Sequence, residues 1–270
     1  MKIILSSYSA CLLAFLLLAG FREENPGFQQ LKVNSSLTIY FDNVAGNDEL
    51  KLEGLDYKNA AGESFSVSQL QYFISNIRLI KTDGTGYTVP QESSYFLVRE
   101  SDPATQKINL QVPEGDYKQV EFVLGVDSVR NTMDISRRTG VLDPASSMDN
   151  GMYWGWNSGY IFLKMEGNSS AAPEDPAGRK KFRYHIGGFG GYSAPTINNI
   201  KQVTVELLKG PAHADPAKTT LIHLKADILK VFDGPVKVHI AEHPSVMFSQ
   251  FSKNIANNYS RMFSHYRTEN

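Results

Sequence analysis

The chain is poor in the residues that make covalent or soft-metal frameworks. Among its 270 residues cysteine occurs once, at Cys11, and tryptophan twice, at Trp154 and Trp156. A single cysteine excludes an intrachain disulfide and any site built from thiolates alone, whether zinc or iron–sulfur. Charge of either sign is also scarce as an excess. With 27 basic against 28 acidic residues, the chain lacks the cationic surplus that displaces counterions from nucleic acid. The motifs of several enzyme classes are missing too. No G-x-S-x-G, H-E-x-x-H or G-x-x-x-x-G-K-[ST] occurs, and the Gly187–Gly191 run leads to Ser193-Ala194-Pro195 rather than to a dinucleotide-binding helix. Catalysis has no support in the sequence. What is present is 41% hydrophobic residues with 13 Tyr and 15 Phe, enough to build a large core rather than a disordered chain.

Long apolar runs are confined to the N-terminus. Residues 1–20, MKIILSSYSACLLAFLLLAG, place one lysine before an apolar stretch and end in small residues ahead of Arg22-Glu23-Glu24. This is the layout of a secretory signal peptide cleaved near Gly20. The apolar run is too short for a bilayer span of about 20 residues. Cys11 lies before the apolar segment rather than at its end, so a lipid-anchored form is disfavoured and the cysteine leaves with the leader. Loss of Lys2 then takes the formal charge from −1 to −2. Residues 21–30 are expected to be a loose lead and 31–270 a single domain without a membrane span, in the periplasm or outside the cell.

Through that domain apolar and polar residues alternate, the period of a half-buried strand. Leu37, Ile39 and Phe41 share one face, as do Ile108, Leu110 and Val112. Further strands are expected at 120–126, 160–165, 182–186, 203–207, 222–228 and 236–240, separated by turn signals such as Pro113-Glu114-Gly115-Asp116 and Asp233-Gly234-Pro235. The fold expected is all-β, an antiparallel sandwich or barrel-like domain. Two helices are expected within it. A short internal one over Ser66–Ser75 has Ser66 and Gln69 at capping-box spacing, and a C-terminal one over Met247–Phe263 has apolar residues at steps of three and four.

The stretch between the strands at 120–126 and 160–165 has little regular pattern, and connections this long inside compact domains tend to be functional. It holds both tryptophans, together with Met152, Asp127, Asn131, Asp134 and Asp143. Trp154 and Trp156 are two apart, so extended backbone points both indoles to one side. Paired indoles beside glycines also suit a β-sandwich core or cap, and Met152 is an equally good gap filler. Of the six histidines, His185 ends a strand and abuts the Gly187–Gly191 run, standing clear of the sheet, though its alternation with Arg183 also suits an ordinary solvent-facing residue. His239 and His243 fall on an expected strand, where a three-residue gap does not make a metal pair.

Several strings in this region, taken together, resemble the MbnP-like family. They are GVDSVRN at 125–131, LDP at 142–144, MYWGWNSGYIFLKMEG at 152–167 and FRYHIGG at 182–188, flanked by FSVSQLQYFISNIRL at 65–79 and IANNYSRMF at 255–263. The resemblance runs in order through nearly all of the domain. Its members are exported bacterial proteins associated with methanobactin-type copper systems. The resemblance therefore implies a β-rich periplasmic or secreted protein that binds copper. It also implies a tryptophan oxidised to kynurenine, in some systems by a di-haem peroxidase partner. Carried onto this chain, His185 is the candidate copper ligand with His265 second. Trp154 or Trp156 is the candidate for oxidation, and Met152, Asp127, Asn131 and Asp143 form the supporting loop. Copper without cysteine needs imidazole nitrogen, with thioether help if the ion is Cu(I). The alternative is a metal-free surface module that takes a sugar or a protein through the aromatic long loop.

Overall fold

The structure, a computed structural model, describes residues 33–54, 56–149, 151–155 and 159–270. Residues 1–20, expected as a leader, the lead expected at 21–30, Cys11 and Trp156 lie outside the described residues. The strands begin with β1 (Val33–Ala45), β2 (Asp48–Glu49), β3 (Tyr57–Lys58), β4 (Ser64–Lys81), β5 (Gly86–Thr88), β6 (Tyr95–Arg99), β7 (Lys107–Pro113) and β8 (Gly115–Leu124). Two short helices follow, α1 (Ser128–Thr132) and α2 (Pro144–Asp149), then β9 (Tyr153–Trp154), β10 (Gly159–Ser169) and β11 (Lys181–Gly187). The chain closes with β12 (Lys201–Glu206), β13 (Ala212–Ala214), β14 (Thr220–Asp227), β15 (Ser245–Val246), α3 (Ser252–Tyr259) and β16 (Phe263–Glu269).

These strands form two sheets. In the first, β1 lies between β14, which runs parallel to it, and β7, which runs antiparallel; β16 extends the sheet beyond β14. The second runs β12-β8-β4-β10-β11-β15. Its organiser is β4, which changes neighbours along its 18 residues. On one edge it pairs with β10 up to Tyr72 and with β8 from Ile74, while β6 takes the opposite edge at Gln71–Ser75. Within the pairing to β8 the register shifts between Ser75 and Arg78, beside Asn76 at φ 53°. Asparagine is among the few side chains that tolerate this left-handed conformation.

The main core lies between the sheets. Alternation puts Leu37, Ile39 and Phe41 of β1 inward, all fully buried. Phe41 meets Phe122 edge-on at 5.8 Å and Tyr72 at 6.4 Å, joining the two layers. A second core covers the outer face of the second sheet. Phe73, Leu97, Val126, Leu142, Met152, Tyr160 and Phe162 pack there, under the excursion between β8 and β10.

The second core explains why Ser66–Ser75, expected as a helix, is strand. A strand buried on both faces carries consecutive apolar residues instead of alternating ones. Tyr72 faces one core, Phe73 the other and Ile74 the first again, each fully buried. The short internal helices lie instead in the excursion, as α1 and α2. The C-terminal helix is present but shorter than expected. It spans Ser252–Tyr259, and Phe263 already opens β16, which pairs with β14. The strand expected at 236–240 is a loop. Val238 and Ile240 are buried, but the N–H of His243 donates to the carbonyl of His239 in a turn.

Candidate functional site

The excursion reaches the second sheet through a hairpin. Trp154 of β9 pairs with Gly159 of β10, and Tyr153 with Tyr160. Just before it, Met152 is fully buried in the second core, and its carbonyl accepts the N–H of Ile161 at 2.8 Å. The methionine thus anchors the strand that carries the tryptophan.

Trp154 is half-buried and lies against β11. A Cβ added at Gly187 would fall 2.8 Å from Cζ3 of the indole and 2.5 Å from the carbonyl oxygen of Tyr160, and one at Gly188 would fall 3.0 Å from the ring of Phe248. The two glycines therefore clear the surface on which the indole and Phe248 meet edge to face, their centroids 6.4 Å apart. His185 precedes Gly187 by two residues, so strand periodicity puts both on one face. His185 and Trp154 share the outer face of β11.

On this face four polar residues lie directly across four strands: Arg99, Gln71, Lys164 and His185. His185 is mostly buried, and its Nε2 lies 2.6 Å from Oε1 of Glu166 on β10. The ammonium of Lys164 is 3.6 Å from the same oxygen and 3.5 Å from the carbonyl of Gly151. The bond to His185 holds the Glu166 carboxyl below its ordinary range against the opposing effect of burial, helped by the charges of His185, Lys164 and Arg183. Glu166 was not among the residues singled out from sequence. Its pairing with His185 is a diagonal across two strands, and only their register reveals it.

The other sequence-derived residues have separate surroundings. His265 lies on β16 of the first sheet, where its Nδ1 accepts the N–H of Lys209 at 3.2 Å and its Nε2 faces Oγ1 of Thr268 at 3.0 Å. Burial pushes its pKa down. Both ring nitrogens are engaged, and His185 belongs to the other sheet. Asp127 caps α1, accepting the N–H of Arg130 at 3.0 Å, and its other oxygen takes the Tyr95 hydroxyl. Buried Asn131 donates to the carbonyl of Val126 at 2.8 Å and accepts the N–H of Tyr160 at 3.1 Å, tying α1 to β10. Asp143 accepts the N–H of Ala145 at 3.0 Å as α2 begins. Each of these loop residues bonds backbone where an irregular segment leaves it unpaired.

A family model described as MbnP matches residues 34–248. Among solved structures the chain is similar to MbnP from Methylosinus trichosporium, with 17% identity and a TM-score of 0.51 over 76% of this chain and 82% of that one. At this identity the likeness speaks for the fold. No curated protein matches the chain.

Proposed function

The chain belongs to the MbnP family, and from that premise we propose that it is an exported copper-binding protein whose metal is held at His185 beside an oxidised tryptophan. The observation that supports the reading most is the shared face of β11, with His185 two residues from the glycine that makes room for Trp154. An imidazole nitrogen and a carboxylate oxygen stand together there, at His185 and Glu166, and this is a donor pair that copper accepts. Among the described residues no group of three or more His, Cys, Asp or Glu converges. The pair therefore fits copper together with donors of other kinds, which we assign to a kynurenine formed at Trp154 or Trp156 and to solvent.

Nε2 of His185 and Oε1 of Glu166 are hydrogen-bonded to each other in the metal-free protein, and copper at that nitrogen would take the place of this bond. Lys164, bonded to the same carboxylate, orients Glu166 and offsets its charge. Bound copper would supply a one-electron redox centre. The oxidising equivalents for the tryptophan would come from peroxide, delivered by the di-haem peroxidase that the resemblance implies. Export rests on residues 1–20, and no helix among the described residues is long and apolar enough to cross a membrane.

Elemental analysis of the mature protein after loading with Cu(I) and with Cu(II) tests the reading. Stoichiometric copper in the native chain and its loss in His185→Ala is the expected result; full retention in the variant would remove His185 from the site. Peptide mapping of residues 152–159 from the native host tests the modification. A tryptophan that has gained oxygen and lost carbon is the expected product. Two intact tryptophans in copper-loaded native protein would refute it.

A further inference from the structure

The excursion also buries a guanidinium that forms no direct ion pair with a carboxylate among the described residues. Arg138 is only 9% exposed. Its Nε and Nη2 donate to the carbonyl of Met133 at 2.9 and 2.6 Å, and its Nη1 to the hydroxyl of Tyr153 at 3.2 Å. All of these partners are neutral, and they leave guanidinium N–H groups for a further acceptor. Nearby Arg130 differs, since it is paired with Glu92 at 2.6 Å. The carboxylates closest in sequence make no hydrogen bond to Arg138, although the charge of Asp134 acts on it through space. Asp134 takes the amide and hydroxyl of Ser136, and Asp143 the amide of Ala145. A buried charge without a directly bonded counter-charge is costly, so the arrangement favours an anion at the remaining N–H groups.

Arg138 lines a hollow. The cavity is about 240 Å³ and, among the described residues, is lined by Asn131, Arg138, Tyr153, Gly159, Phe189 and Tyr192. That volume suits a small molecule better than a peptide. Phe189 is almost fully buried, whereas Tyr192 is 65% exposed at the rim. Asn131 spends its side chain on the carbonyls of Val126 and Asp127 and on the amide of Tyr160, so the polar recognition falls to Arg138 and Tyr153. The Tyr153 oxygen accepts from Arg138, which leaves its proton to donate into the hollow. A cationic fork and a phenol at the base, with rings on the walls, match a carboxylate carried on a flat apolar body.

We propose that this pocket binds a small aryl carboxylate, with its carboxylate on Arg138 and Tyr153 and its ring between Phe189 and Tyr192. The site is separate from the one at His185. Tyr153 and Trp154 are consecutive in a strand and so project to opposite sides, and the two assignments stand or fall independently.

Calorimetric titration of copper-free mature protein with benzoate tests it, with benzyl alcohol and inorganic phosphate as comparators. Saturable one-to-one binding of benzoate, weaker at high salt, is expected, with neither comparator matching it. Tyr192→Ala should weaken benzoate roughly five- to tenfold with the melting temperature unchanged, because Tyr192 is largely exposed and its removal leaves the core intact. Arg138→Lys keeps the charge but loses the fork, and should weaken binding at least about tenfold. If that variant does not fold, the Tyr192 arm decides alone. Absence of benzoate binding to the native chain, equal binding of benzyl alcohol or phosphate, or binding indifferent to Tyr192→Ala would each overturn the proposal.

Discussion

The indole of Trp154 occupies the space that Gly187 leaves by having no side chain. Gly187→Ala should therefore displace the ring or the strand. Its methyl group would meet both the indole and the Tyr160 carbonyl, the second of which is backbone and cannot turn aside. A loss of about 1–3 kcal/mol is expected from denaturant melts, with a red-shifted tryptophan emission. Gly155→Ala, where an added Cβ meets nothing within 4 Å, is the control and should leave both readings unchanged.

Met152 separates a packing role from a ligating one. Fully buried in the second core, it should tolerate Met152→Leu at less than about 1.5 kcal/mol. Met152→Ala should cost about 2–5 kcal/mol. Copper uptake by the Leu variant should equal that of the native protein. A selective loss of Cu(I) in that variant, with the fold retained, would instead make the thioether a ligand.

Glu63 ties the 239–243 turn to the sheet. Its carboxylate accepts the N–H of Ile240 at 2.7 Å and of Ala241 at 2.9 Å, and the side-chain amide of Asn59 at 2.6 Å. Burial alone would raise its pKa, but the bonds from Ala241, Asn59 and Ile240 outweigh it and hold the carboxyl below its ordinary range. The stabilisation is thus present above the unfolded-state value, roughly pH 4.3, and lost as pH falls through the lower folded value. Glu63→Gln should cost about 1–2 kcal/mol near neutrality, and the difference should shrink in melts taken at progressively lower pH.

Glu100 has the opposite sign. Burial pushes its carboxyl up against the bond from Asn43, and the charge of Glu49 adds to the rise. The folded chain holds this proton more tightly than the unfolded one, so its stabilisation is complete below the unfolded value and lost as pH rises through the folded one. Glu100→Gln keeps an oxygen for Asn43 and Gln106, which now donate to the same carboxylate oxygen at 2.8 and 3.1 Å. The variant should be more stable than the native chain at pH 8 and indistinguishable from it near pH 4.

Legibility in the sequence followed how many faces of a strand are covered. Leu37, Ile39 and Phe41 announce β1 because their neighbours are more polar, and the same holds for Ile108, Leu110 and Val112 in β7. In β4 the run Tyr72-Phe73-Ile74 has no polar partner, since a second core lies on the far face, and its spacing passes for a helix. Around Val238 and Ile240 the alternation is present without the strand, because the amides of Ile240 and Ala241 are taken by the Glu63 carboxylate and that of Val238 by the carbonyl of Phe232 instead of a neighbouring ladder. At the candidate site, the glycine run after His185 marked the strand end and the indole pair marked the excursion. The partner Glu166 depends on register between β10 and β11, and the buried charge of Arg138 on tertiary packing. Neither leaves a local pattern.

The anchoring of Met152 has a consequence for access. With its neighbour bolted into the second core and Gly187 beneath it, Trp154 stands on a wall and not on a flap. A reagent, metal chaperone or redox partner has to approach the indole where it stands, since drawing it outward would uncover the second core against which it packs. The shape of any partner's contact is thereby set by the fixed surface around residue 154.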